Sequence, residues 1–309
     1  MYSLYIRFLT RISLAEGASL YTTLEPCAHY GKTPPCVNKI ISSNIKKVVY
    51  SINDVDLRTS GKSYNILKSN NIHVKKNFYP SLTKKLYKEY FYSRKKNKPY
   101  VYGKLAISKD FYLKDKKNFY ITNKYSLKTT HILRSRNSCI ITTAKTINDD
   151  NPKLNCRIVG LKKYSPNVAI IDKNLKINKN SFLIKNAKKN KTFLFYNNFN
   201  KQKLKYLRSK KLILVKTPLK NINLDFNFIL KKLYKFGHFN VLVEGGKNFT
   251  FNLLNNGFFN EFYLFVASKS LKNRGLIKVK NIKSKLTNKF KNIKINQTFL
   301  DKDNLIQYY

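Results

Sequence analysis

Two cysteines, Cys27 and Cys36, bracket a loop that also carries His29, Gly31, Pro34 and Pro35. Thiolates bind zinc and act as nucleophiles, and both roles depend on the local electrostatic potential. Pro34 and Pro35, followed by Cys36, Val37, Ile40 and Ile41, read as a helix start, because proline suits the first helical turn. Cys36 is therefore expected near a helix N-terminus, where the helix dipole favours a thiolate. Residues 18–24, just before the loop, read as a short strand. A Pro-Cys pair at a strand end, with a second Cys at a helix start, is half of a zinc-deaminase site. The alternative is two unrelated thiols in a turn.

The other half of such a site is a third zinc ligand, an open position for water, and a glutamate that shuttles the proton without binding the metal. No histidine precedes His29, and Glu16 stands only 11 residues ahead of Cys27 with no histidine beside it. Glu16 reads as a helix-end or loop residue, and His29 as a loop group that touches substrate rather than zinc.

The whole run from Thr22 through Glu25, Pro26, Cys27, His29, Gly31, Lys32, Thr33, Pro34 and Pro35 to Cys36 resembles the deaminase half of the bifunctional riboflavin-biosynthesis deaminase/reductase family. The resemblance implies that Cys27 and Cys36 are the two zinc thiolates. It also implies a His-Ala-Glu motif roughly two dozen residues upstream of the first cysteine, which this sequence does not contain. The expectation is an incomplete zinc site: either the true start lies upstream of Met1, or the deaminase is a relic.

The elements around these residues alternate. Residues 47–52 read as a buried strand, 63–69 as a helix, 72–74 as a short strand and 82–92 as one amphipathic helix. The basic run from Arg94 to Lys98 reads as a solvated linker, with a boundary ahead of Pro99. The expected domains are a partial zinc-deaminase-like domain over 1–80, a helical linker over 81–98 and a second domain over 99–309.

The second domain opens with an alternating strand at 100–107 that leads into Ser108-Lys109-Asp110. Tyr120-Ile121-Thr122, a helix over 126–136 and a strand over 139–142 follow. Next come Thr146 to Arg157, with Asp149, Asp150, Pro152 and Leu154 between them, and a strand over 168–172. Val243-Glu244-Gly245-Gly246 then leads into a helix over 249–255 and a strand over 261–267. Two glycines between a strand and a helix let backbone N–H groups approach a phosphate, with the helix dipole in support; the alternative is a plain strand-to-helix turn. Residues 197–227 and the tail from Lys278 carry no motif.

This order of motifs resembles the reductase half of the same family. The fold class implied is α/β throughout, a partial cytidine-deaminase-like domain followed by a dihydrofolate-reductase-like domain. The activity implied is NADPH-dependent reduction of the ribosyl group of an aminouracil ribosyl phosphate to ribityl. By the same resemblance Arg134 and Arg157 clamp the substrate phosphate, Leu154 packs on its pyrimidine side and Glu244 accepts hydrogen bonds from it. Ala106, Tyr120, Thr146, Asp150, Gly245 and Gly246 are implied for NADPH. The sequence departs from the family at Phe111, where the family has glycine, at Asn118 (serine), at Tyr120 (tryptophan) and at Asp149 (a small residue).

The chain has 309 residues, enough for two cores, and is 42% hydrophobic, which excludes a disordered protein. Its net charge is +47. Lysine is spread along the chain with Asn, Ile, Tyr and Phe, the pattern of A/T-rich codons rather than of a local basic arm. Four cysteines do not make a disulfide framework. Cys139 and Cys156 read as structural thiols. No apolar run is long enough to span a membrane, and reduced cysteines fit a cytosolic setting. The expected partners are a phosphorylated pyrimidine and further copies of the same chain, with no membrane and no specific nucleic acid. Three readings stay open: a reductase with an incomplete deaminase, a bifunctional enzyme whose N-terminus is missing here, and a nucleic-acid-binding protein on a degenerate deaminase fold.

Overall fold

The computed structural model describes residues 15–31, 33–118, 120–188, 191–296 and 300–309. The chain divides into two compact units, Met1–Lys98 and Pro99–Tyr309.

In the first unit β1 (Ser19–Leu24), β2 (Lys47–Ile52) and β3 (His73–Lys75) form a parallel sheet in that order. The middle strand β2 is buried from Val48 to Ile52, as a β-branched run in a parallel sheet requires. Helices α1 (Cys36–Ser42) and α2 (Lys62–Ser69) connect the strands, and Val37, Ile40, Val48, Tyr50, Leu67 and Ile72 close the core.

The single helix read over 82–92 is two, α3 (Pro80–Leu86) and α4 (Lys88–Lys96), with Tyr87 out of helical geometry between them. Their apolar stripe is not the face that is covered. Leu82 and Leu86 are each 70% exposed, whereas Thr83 and Ser93 are buried. The aromatic and polar contacts of Tyr87 and Tyr90 decide the orientation: Tyr87 Oη bonds Thr23 Oγ1 and Tyr90 Oη donates to Asp54.

The second unit carries, in chain order, β4 (Tyr100–Ile107), β5 (Tyr112–Asp115), α5 (Lys124–Arg136), β6 (Cys139–Thr143), α6 (Ala144–Asp150), β7 (Asn167–Ile171), α7 (Phe182–Lys185), β8 (Thr192–Tyr196), α8 (Lys201–Ser209), β9 (Ile213–Lys216), a small hairpin of β10 (Leu219–Lys220) and β11 (Asn223–Leu224), α9 (Phe226–Lys235), β12 (Asn240–Val243), α10 (Lys247–Asn255), β13 (Glu261–Val266), β14 (Gly275–Lys278), α11 (Ile282–Lys289), β15 (Ile293–Asn296) and β16 (Asn304–Tyr308). Nine of the strands make one sheet in the order β15-β16-β13-β4-β12-β6-β7-β8-β9. Its strands from β13 to β9 run parallel, and β16 and β15 join antiparallel.

Hydrophobic clusters cover both faces of this sheet. One holds Val101, Ile141, Phe193, Val243 and Phe262; the other holds Tyr102, Leu133, Ile140, Leu154 and Leu242. That double burial is why the central strands read as continuous apolar runs. Gly103 on β4 allows the closest approach, since a Cβ there would stand 2.2 Å from the Phe262 ring. The stretches without motifs are structural. Residues 197–227 supply α8, β9, the hairpin and the start of α9, and the tail supplies α11, β15 and β16.

Candidate functional site

The first strand of the second unit, β4, lies in the middle of the sheet, with β12 on one side and β13 on the other. Strands that leave a central strand in two directions open a crevice at their carboxyl ends, where ligands of α/β sheets bind. The register Gly103↔Val243 sets Lys104 level with Glu244, the first residue beyond β12. Helix α5 brings Arg134 to the same place. Its N-terminus is fixed by Asn123, whose side chain accepts from the amides of Tyr125 and Ser126, and by Asp303, which accepts from the Asn123 amide and the Ser126 hydroxyl.

Arg134 and Glu244 meet there in a two-point ion pair. Nε lies 2.7 Å from Oε1 and Nη2 lies 2.9 Å from Oε2. Both side chains are nearly buried, at 12% and 11% exposure. Burial alone would raise the Glu244 carboxyl, but Arg134 and then Lys104 outweigh it and hold it below its ordinary value. Burial pushes the Lys104 ammonium down against the opposing pull of Glu244. The Asn155 carbonyl accepts from Arg134 Nη1 at 3.3 Å and from His131 Nδ1 at 3.0 Å. A carbonyl only accepts, so His131 carries its proton on Nδ1. Burial, with Arg134 and Arg157 nearby, lowers the His131 pKa.

Two residues expected to bind substrate thus bind each other. Of the other two, Arg157 is exposed and bonds the side chain of Asn155 at 3.2 Å. Leu154 is 3% exposed inside the core cluster with Leu133 and Ile147, and its backbone is left-handed at φ 48°. Lys104 carried no role in the sequence reading. Its signal was a cation in the middle of a strand whose neighbours are apolar, an arrangement that burial tolerates only with a partner.

The residues expected for the cofactor lie around the same strand ends. Ala106 is two positions beyond Lys104 on the same face of β4. Thr146 sits in the first turn of α6, where its amide and hydroxyl both bond the Thr143 hydroxyl. Asp150, at the other end of α6, is paired with Lys114 of β5. Tyr120 is 48% exposed, and its carbonyl accepts from Lys269. Gly246 is the N-cap of α10, and a side chain at Gly245 would stand 2.7 Å from the Phe249 ring. Gly245 is thus close-packed on Phe249, whereas Gly246, where a side chain would meet nothing within 4 Å, leaves open backbone before a helix of nine residues, a geometry suited to a phosphate. The donors, the glycine turn and the apolar floor are compatible with a dinucleotide across the ends of β4, β12 and β6.

In the first unit Cys27 and Cys36 lie with sulfurs 3.1 Å apart, and the Cys36 amide donates to Cys27 Sγ at 3.1 Å. Donation from the Cys36 thiol, with its amide and His29 in support, draws Cys27 down to about 6. The same contact and burial push Cys36 up. His29 Nδ1 shares a 2.8 Å hydrogen bond with Thr59 Oγ1. Glu16 is in an exposed turn. Among the described residues no group of three or more His, Cys, Asp or Glu side chains is placed to hold a metal, and residues 1–14 contain none of these types. The donors present are two of the three protein ligands that a catalytic zinc needs, so they do not fit one on their own. Glu25, unassigned in the sequence reading, is a buried staple. Its carboxylate accepts from the amides of Asp54 and Gly61 and the hydroxyl of Ser63, fixing the loop that carries Thr59.

Comparison with known proteins accords with this arrangement. The family model described as the RibD C-terminal domain matches residues 99–298. The riboflavin biosynthesis protein RibD of Aquifex aeolicus is 32% identical over 259 residues, covering 82% of this chain and 70% of that protein. The crystal structure of a diaminohydroxyphosphoribosylaminopyrimidine deaminase/5-amino-6-(5-phosphoribosylamino)uracil reductase from Thermotoga maritima superposes with TM-score 0.72 at 25% identity, covering 94% of this chain and 79% of that one. Acinetobacter baumannii RibD superposes with TM-score 0.80 at 24% identity, covering 96% and 81%. The architecture is two α/β domains, the second with a dihydrofolate-reductase-like fold. No helix among the described residues is long and apolar enough to cross a membrane.

Proposed function

The chain belongs to the RibD family of riboflavin-biosynthesis proteins, and from that premise we propose that its second unit reduces the ribosyl group of 5-amino-6-(5-phosphoribosylamino)uracil to ribityl with NADPH. The observation that carries the reading is the buried Arg134–Glu244–Lys104 cluster beside the Gly245-Gly246 turn. When bound, NADPH supplies the hydride, so the chain needs only to bind, orient and exclude water. Gly245, Gly246 and the first turn of α10 hold the pyrophosphate, with Thr146 and Asp150 on the ribose side and Ala106 and Tyr120 flanking the nicotinamide end. Glu244 accepts from substrate N–H and O–H groups, and Lys104 donates to the ribosyl ring oxygen, which takes up a proton as the ring opens and the C1′ carbon is reduced. Arg157, exposed and bonded to the side chain of Asn155, reaches the substrate phosphate. Arg134 acts through Glu244, fixing its carboxylate. Leu154 supports the floor from within the core. The substrate is a small phosphorylated pyrimidine, the setting cytosolic and the assembly a homo-oligomer.

The test is loss of NADPH absorbance on mixing the purified chain with this substrate, with the ribityl product identified by mass. No turnover by folded protein at saturating substrate and cofactor refutes the reading.

For the first unit we infer that this chain alone does not release ammonia from the undeaminated pyrimidine. Among the described residues Cys27 and Cys36 supply two sulfur donors, with no facing third ligand and no proton-carrying carboxylate beside them. Ammonia release well above background in the presence of zinc overturns this.

A further inference from the structure

Helix α5 carries a second polar side chain into the charge cluster. His131 lies one turn before Arg134, so the two share a helix face. Its Nδ1–H donates to the Asn155 carbonyl at 3.0 Å, and Arg134 Nη1 donates to the same oxygen at 3.3 Å. Resting on the reductase reading, we propose that His131 is a positioning residue for the substrate phosphate: by holding the Asn155 carbonyl it fixes residues 154–157 in the conformation that presents Arg157.

That stretch does not hold its shape by itself. Residues 151–157 form no helix or strand, and Leu154 stands in the left-handed region at φ 48°, which a side chain disfavours. Three anchors offset this. The Leu154 side chain is buried in the core, the Cys156 amide donates to Ser165 Oγ at 3.1 Å, and the Asn155 carbonyl takes its two donors from α5. Of the three, the carbonyl is the one that joins the stretch to the Arg134–Glu244 pair. Asn155 is also the residue that holds Arg157, its side-chain oxygen accepting from Nη1 at 3.2 Å. An exposed arginine keeps much of its rotamer freedom, so the direction in which Arg157 points depends on the backbone beneath it.

The use of a histidine follows from charge. Arg134, Arg157 and Lys104 stand in this region with the Glu244 carboxylate. A lysine or arginine at position 131 would add a further cation before any phosphate arrives. A neutral imidazole donates one N–H without that repulsion. Burial, then Arg134 and Arg157, lower the His131 pKa against the opposing pulls of the Asn155 bond and Glu244, which keeps the ring neutral at neutral pH. Arg134 is the weaker holder of the carbonyl, since its bond there is longer and its other nitrogens are locked on Glu244.

The experiment measures KM and kcat for the phosphorylated substrate at saturating NADPH, and NADPH Kd by fluorescence, on wild type, His131→Ala, His131→Asn and His131→Gln, each with and without Arg157→Ala. The asparagine amide nitrogen lies as many bonds from Cα as Nδ1, whereas the glutamine nitrogen lies further out. His131→Ala is expected to raise KM roughly 10-fold, the size of one hydrogen bond, with kcat and NADPH Kd unchanged. His131→Asn is expected to restore most of that loss, and His131→Gln is not. In the Arg157→Ala background the same substitutions are expected to change KM little, because the arginine they aim is gone. The comparison of Asn with Gln decides the matter even where the alanine variant does not fold. Equal KM in the Asn and Gln variants, or a penalty of the same size with and without Arg157, overturns the proposal while wild-type turnover leaves the reductase reading standing. A folded wild type without turnover overturns both.

Discussion

Arg134 and Glu244, 110 residues apart in sequence, are locked by two parallel hydrogen bonds of 2.7 and 2.9 Å at the carboxyl end of the central sheet. The pair is nearly dry. Arg134→Ala therefore leaves a buried carboxylate without its partner, and a loss of about 3–5 kcal/mol is expected. Arg134→Met with Glu244→Leu removes both charges of the pair but leaves Lys104 without its carboxylate, so only part of that stability is expected to return, while activity stays lost. Urea midpoints of the single and double variants check this. A single variant as stable as wild type would mean that the pair is screened by solvent.

The pair also sets an acid response. Glu244 titrates below its ordinary value in the folded chain, so its contribution is complete above the unfolded carboxylate range and is lost as pH falls through the folded pKa. In Arg134→Ala the carboxyl is expected to hold its proton to higher pH, moving the acid unfolding midpoint upward relative to wild type.

Arg157 behaves differently because it is exposed. Arg157→Ala is expected to leave the unfolding midpoint within about 0.5 kcal/mol of wild type. It is expected to raise the substrate KM roughly 30-fold, the cost of losing one charged partner of a phosphate. The dinucleotide Kd stays unchanged. Kinetics that match an exposed Lys→Ala control would remove Arg157 from the phosphate site.

His238 is 5% exposed, with neither ring nitrogen bonded, and lies edge-on to Phe193. Burial, with Lys191 adding repulsion, lowers its pKa to about 4. The unfolded chain takes up this proton near pH 6.5 and the folded chain does not, so stability falls as pH drops from about 6.5 toward 4, by up to about 3 kcal/mol. His238→Leu is expected to flatten that part of the curve. Thermal unfolding at both ends of the window measures it, and an unchanged slope in the variant assigns the pH dependence elsewhere.

Phe111 occupies the left-handed region at φ 70°, where its amide donates to Ser108 and its carbonyl accepts from Val279. A side chain costs about 1–2 kcal/mol in that conformation and glycine does not. Phe111→Ala and Phe111→Gly remove the same ring, so their difference isolates the backbone. The glycine variant is expected to be the more stable by about 1 kcal/mol. An alanine variant of equal or greater stability would show that the turn relaxes to another conformation.

The two-fold and 3.6-fold periodicities of the sequence determine where strands and helices form, because burial acts on whichever face repeats. β2, β4, β6, β7, α5 and the strand-to-helix turn at Gly245 were all legible this way. Residues 197–227 and the tail were not, since β9, β15 and β16 owe their place to the sheet edges on which they pair. The helix over 82–92 was misjudged because its apolar stripe carries no information about which face a neighbour covers.

The residue types of the candidate site could be read from local motifs, each of which lies within a few positions in the chain. Their partners could not. Arg134 with Glu244, Lys104 level with Glu244, and Glu25 with Ser63 are set by strand register and helix direction, which bring distant segments together only after the chain has folded. The sequence alone determined that the chain carries thiols, arginines and a glycine turn in a recognisable order. Tertiary structure decided that Arg134 is spent on Glu244, that Arg157 is left exposed, and that His131 meets the Asn155 carbonyl. These are questions of burial and charge pairing, and both depend on which groups lose their water together.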